Sequence, residues 1–79
     1  MPILADGFED AFAGYDVITR DGEQHLVAVY NENKCVEILM ERDGMELEDA
    51  VEYFEFNIKG ANQQGDAPYF TEHARRYKF

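Results

Sequence analysis

Between Tyr15 and Tyr30, apolar and polar side chains alternate on either side of an Asp21-Gly22 pair. Alternation with period 2 is the mark of a half-buried strand, and Asp-Gly takes the positive φ angles of a two-residue type I′ turn. The segment therefore predicts a β-hairpin. Its turn sets the register, with Arg20 facing Glu23, Ile18 facing His25 and Val17 facing Leu26. One face then carries Tyr15, Val17, Leu26, Ala28 and Tyr30 and is expected to be the buried one. The other carries Asp16, Arg20, Glu23 and His25 with Ile18, Val27 and Val29; His25 is expected to be solvated there.

After Tyr30 the period becomes helical. Asn31 or Asn33 is expected to cap a helix that runs to about Arg42. Cys35, Ile38, Leu39 and Arg42 fall on one side of it, extended by Val36 and Met40. Gly44 stands where a helix C′ residue belongs, and Met45 is placed to fold back on Met40. A second helix is predicted over about 47–58, with Leu47, Ala50, Val51, Phe54 and Ile58 as its apolar stripe. Glu46, Glu48 and Asp49 suit its N-terminal dipole, and Lys59 suits the other end. The short connection makes the two helices an antiparallel hairpin.

The remaining segments are shorter. Residues 8–13 predict a helical turn capped by Asp6 and broken by Gly14. Residues 60–68 read as a loop, and Tyr69-Phe70-Thr71 as a third, short strand. Residues 72–79 form a basic-aromatic tail, expected to dock on the protein's own acids. Phe8, Phe12, Tyr53, Phe54 and Phe56 are expected at the core or its edge, with Tyr53 or Phe56 as an exposed anchor. The fold class that results is α+β: one acidic domain over 1–79, a β-hairpin plus an antiparallel helical hairpin and a short C-terminal strand.

Charge changes the picture most. Residues 1–58 carry 15 acidic side chains against three basic ones, and residues 59–79 carry four basic and two acidic, for a net charge of −10 in 79 residues. Apolar residues make up 46% of the chain, which argues against disorder and for a core inside a charged shell. Such a shell repels nucleic acid and anionic membranes and attracts basic surfaces, among them those built to hold nucleic acid. The one cysteine, Cys35, excludes an intrachain disulfide and fits a reducing compartment. No apolar run approaches the about 20 residues of a membrane span, and the N-terminal residues lack the basic region of a signal peptide. A cytoplasmic location is expected.

The candidate site is acidic. Glu48, Glu52 and Glu55 lie opposite the apolar stripe of the second helix, beside Asp49, and Glu37 and Glu41 make an i,i+4 pair on the first helix. Like charges at these spacings weaken a helix by a few tenths of a kcal/mol per pair. The functional reading is a face that docks on a basic, nucleic-acid-binding surface; the plain alternative is a solvated face. Metal chemistry is not expected. Placing Gly22 or Gly44 at the sixth position of a calcium loop puts Val17 or Leu39 at the first, and Cys35, His25 and His73 lack zinc spacing. No cofactor is expected either, since Gly60-x4-Gly65 is followed by Asp66 and not by the Lys-Ser/Thr of a phosphate loop. Cys35 with His25 or His73 would make a nucleophile and base, but Cys35 sits on an apolar helix side, and serine is absent from the chain. No catalytic residue is assigned, and the protein is read as a non-enzyme.

Several strings together resemble a family of small phage and prophage proteins. They are Leu4-Ala5-Asp6-Gly7-Phe8-Glu9-Asp10-Ala11-Phe12, Ala28-Val29-Tyr30, Cys35 with Glu37-Ile38-Leu39, Arg42-Asp43-Gly44-Met45, and Ala50-Val51-Glu52-Tyr53-Phe54-Glu55-Phe56-Asn57-Ile58 with Gly60-Ala61. The resemblance covers roughly 3–70, includes Gly65 and Pro68-x-Phe70, and ends where the tail begins. It implies a phage-related origin and carries no catalytic residues with it. Small acidic phage proteins often inhibit host nucleic-acid-binding machinery, as DNA mimics and anti-CRISPR proteins do. The leading expectation is therefore a phage-encoded, anti-CRISPR-like inhibitor, monomeric or weakly dimeric. Its acidic face would occupy a basic nucleic-acid-binding protein of the host, a CRISPR effector subunit being favoured, without binding nucleic acid or membrane itself. The alternative is a phage accessory or structural protein that binds another phage protein through its helical hairpin. A small carboxylate hydrolase is a remote third.

Overall fold

The computed structural model describes residues 1–74. A 3₁₀ turn, Glu9–Ala11, leads into strand β1 (Phe12–Arg20) and strand β2 (Glu23–Asn31). Helices α1 (Glu32–Asp43) and α2 (Leu47–Tyr53) follow, α2 running on as a π-helical segment, Phe54–Lys59. Strand β3 (Tyr69–Thr71) closes the sheet. The sheet order is β1-β2-β3, with β1 antiparallel and β3 parallel to the central β2. This is an α+β domain with a three-stranded mixed sheet. Of the basic-aromatic tail, residues 75–79 lie outside the described residues.

The hairpin takes the register that its turn dictates. Asp21 and Gly22 have φ of 51° and 80°, the pair of positive angles that a type I′ turn requires. Arg20 then faces Glu23, Ile18 faces His25 and Val17 faces Leu26. The strand begins earlier than expected. Gly14 does not end a helical turn; it lies within β1, where a register shift between Phe12 and Gly14 marks a bulge. The turn before it has no side-chain cap, so Asp6 does not play that part. Glu9 accepts the Gly7 N–H at 3.0 Å instead.

The division of the hairpin into one wet and one dry face is corrected by the structure. Ala28 and Tyr30 pack with Phe8, Cys35, Leu39, Ala50, Phe54 and Phe70 in the main core. That core reaches no further along its face than Tyr15, so Val17 and Leu26, nearer the turn, stay 50% and 43% exposed. On the opposite face Val27 and Val29 are fully buried with Ala74, and Ile18 and Ala13 pack beside them. The central strand is thus covered on both sides where β3 flanks it, the arrangement that gives a continuous apolar run rather than alternation.

Helix α1 is bounded as its sequence suggests. Asn31 Oδ1 accepts the Lys34 N–H at 3.0 Å, and Gly44 is left-handed with φ 69°. The Gly44 N–H donates to the Leu39 carbonyl, which the Met45 N–H also reaches at 3.5 Å, so the end is closed on Leu39, and Met40 and Met45 both pack on the main core. The second helix departs from expectation at Phe54. Beyond it the Gly60 N–H bonds to the Glu55 carbonyl, an i→i−5 bond of 2.8 Å. A Cβ at Gly60 would stand 2.8 Å from the Glu55 oxygen and 3.1 Å from the Phe56 oxygen, so only glycine closes this wide turn without a clash. Gly60→Ala is expected to lower stability by about 1–3 kcal/mol, the size of an overpacking or strain defect. Chemical denaturation measures it; an unchanged midpoint would show that the turn accommodates a side chain.

The loop 60–68 is fastened by one residue of the hairpin. Arg20 Nη1 donates to the carbonyls of Gly65 at 2.9 Å and Ala67 at 2.8 Å, and Nη2 donates to that of Pro68 at 3.2 Å. This claw positions the entry into β3. Across the same region Asp66 accepts from the Met1 amino group at 3.0 Å and pairs with His25 Nδ1 at 2.9 Å. The amino group first, then His25, holds the Asp66 carboxyl below its ordinary range. His25 is therefore a half-buried partner of Asp66, not the solvated side chain expected.

Candidate protein-binding face

The outer surface of α2 and its π-helical extension holds most of the predicted acids. Glu48, Asp49, Glu52 and Glu55 are all exposed, and none makes an ion pair among the described residues. Their placement follows from Ala50 and Phe54, which are buried and turn the opposite side of the helix to water. Glu48, Glu52 and Glu55 line one open groove of about 690 Å³, and Asp49 and Glu52 line a neighbouring one.

The acids of α1 are placed elsewhere. Glu37 and Glu41 are exposed, Glu37 beside Lys34 at 3.6 Å. Glu41 lines a cleft with Glu9, Asp10 and Arg42 between α1 and the N-terminal turn. The six predicted residues thus fall into two groups, one on the outer surface of α2 and one on α1.

Among the described residues no basic side chain makes an ion pair with the α2 group, and only Lys59, itself bonded to Glu32, acts on Glu55 through its charge. Residues 1–74 contain 17 acidic side chains and four lysines and arginines. Arg20 is engaged by loop carbonyls. Lys34 is engaged by Glu37, Arg42 by Asp43 at 3.0 Å and Lys59 by Glu32 at 3.0 Å. Arg42 also donates to the Gly7 carbonyl and lies 5.3 Å from the centre of the Phe8 ring, so it ties the N-terminal turn to α1.

Two apolar residues of the expected stripe are not in the core. Leu47 is 57% and Val51 41% exposed, and both line the groove that Glu48, Glu52 and Glu55 share. Phe56 joins them at 73% exposure, the more exposed of Tyr53 and Phe56, both of which lie outside the core. The helix contacts the core through a narrower arc than its apolar stripe. At about 100° per residue, Leu47 and Val51 fall on the flank between the buried line and the acids. The wider π turn advances less per residue than an α turn, which rotates Phe56 back toward Val51.

Cys35 is fully buried, and burial pushes its thiol up to about 12. At pH 8 that leaves roughly 10³-fold less thiolate than in an ordinary cysteine, and the thiolate is the reacting form. Alkylation in the native state is therefore expected to be at least about 10³-fold slower than in denaturant. Comparable rates in a timed thiol-labelling experiment would contradict the packing. Among the described residues no group of three His, Cys, Asp or Glu side chains is placed to hold a metal ion, and no helix is long and apolar enough to cross a membrane.

The fold and this face define a small acidic α+β domain with an exposed acidic helix. No family model, curated protein or solved structure matches the chain.

Proposed function

We propose that the protein is a phage-encoded, non-enzymatic inhibitor of the anti-CRISPR kind, acting in the host cytoplasm. Its α2 face takes the place of DNA on a basic nucleic-acid-binding protein, a CRISPR effector subunit above all. The observation that carries this reading is the row Glu48, Glu52 and Glu55, exposed and without an ion pair among the described residues, whose four basic side chains are bonded to other groups. Such a face meets a positive groove with favourable long-range steering, screened over about 8–10 Å at physiological salt. The test is a CRISPR interference assay in a host that expresses the protein, followed by binding to the purified effector with and without competing DNA. Restored plasmid survival, weaker binding at higher salt and displacement by DNA are expected. Full interference together with binding that DNA does not displace would refute the reading.

A second reading, a phage accessory protein that binds another phage protein through its helical hairpin, is favoured by one observation. Leu47, Val51 and Phe56 expose apolar surface that a phosphate backbone has no use for.

A further inference from the structure

The α2 groove combines features that a DNA mimic alone does not need. Leu47 and Val51 stand one helical turn apart, and Phe56 lies further along and further around the helix, past Glu52 and Glu55, so a strip of apolar side chains interleaved with acids spans about 13 Å of the axis. Glu48, Glu52 and Glu55 border it. Exposed aromatic side chains beside aliphatic ones are the usual anchors of protein interfaces, and charged borders set register and partner choice. From this arrangement we infer that the groove seats a basic amphipathic helix of a partner protein, with apolar residues on one side and arginine or lysine flanking them. The inference deepens the proposed function and rests on α2 being the binding face.

Charge decides the occupant. A second copy laid on the same strip by two-fold symmetry would set Glu48, Glu52 and Glu55 against their own counterparts, in molecules that each carry −10. Like charges opposed at an interface cost several kcal/mol. A helix with basic flanks instead meets three exposed carboxylates that make no ion pair among the described residues. A strip of this length matches two to three turns of helix, the span over which i, i+3, i+4 and i+7 anchors recur.

The chain contains no tryptophan, so a tryptophan-bearing peptide can be followed by its own emission. The probe is a synthetic peptide of about 16 residues, with leucines at i, i+3, i+4 and i+7 spacing and arginines on both flanks. Its control has the same composition in scrambled order. The ordered peptide is expected to bind, to shift the amide resonances of Leu47, Val51 and Phe56, and to bind at least tenfold more tightly than the scrambled one. Phe56→Ala and Leu47→Ser should each weaken it tenfold or more while leaving the fold unchanged by circular dichroism, since both side chains are exposed. Equal binding of both peptides, insensitive to Phe56 but lost on reversing Glu48, Glu52 and Glu55 to lysine, would overturn the groove and leave the acidic-face reading standing. Binding indifferent to both sets of changes, or shifts confined to other surfaces, would overturn both. Sedimentation that shows a dimer abolished by Phe56→Ala would assign the groove to a second copy and overturn the inference as well.

Discussion

Reversing Glu48, Glu52 and Glu55 to lysine is expected to weaken partner binding by at least about 10²-fold, because single charge pairs across an interface are coupled by about 1.5–7 kcal/mol. The fold should survive. All three side chains are exposed and make no ion pair among the described residues, so no internal contact is lost. The lysines repel one another much as the glutamates did, and a positive charge at Glu48 opposes the helix dipole by about 0.3–1 kcal/mol. Against this, the net charge falls from −10 to −4, which relieves self-repulsion across the molecule. The effects nearly cancel, so the denaturation midpoint should move little. The measurement is titration of the effector with the parent and the variant at two salt concentrations. Equal affinity of the two proteins would exclude the α2 acids from the interface.

Phe54→Ala should have the largest effect on stability, about 3–5 kcal/mol, from lost burial and the cavity left behind. Phe54 is 1% exposed, and its ring meets that of Phe70 edge-to-face, centroids 5.3 Å apart, so it joins the helices to the closing strand. A domain of this size has only roughly 4–12 kcal/mol in total. Its melting temperature should fall by about 15–30 °C, or the variant should not fold at all. Two residues along, Phe56→Ala should change stability by no more than about 0.5 kcal/mol, since that ring is already in water. Thermal melts of the two variants side by side give the comparison. Similar melting temperatures would mean that the helix is rotated from the orientation described.

The elements legible in the amino-acid sequence are those with local causes. Asp21-Gly22 dictates a turn and therefore a register, Asn31 supplies a cap, and Gly44 ends α1, each through contacts within a few residues. Tyr69–Thr71 was readable as a strand from its aromatic and β-branched residues, although its parallel partner β2 lies about 40 residues away, and Cys35 as buried from its helical position. The six predicted acids were readable as exposed, because charge without a buried partner stays in water.

What only the tertiary structure decided depends on residues far apart in the chain. Val27 and Val29 read as the wetter face, yet Ala74 packs on them with Ala13 and Ile18. Leu47 and Val51 read as core, yet the helix meets the sheet along Ala50 and Phe54 and leaves that flank open. Periodicity shows where an apolar stripe lies, but the width that is buried is set by the surface opposite. The π turn before Gly60, the Arg20 claw on residues 65–68 and the His25–Asp66 pair belong to the same class. Sequence alone thus determined the hairpin turn and register, the two ends of α1 and the charge of α2. Packing decided which apolar residues remained beside that charge, because burial is a property of two surfaces and a stretch of chain describes only one of them.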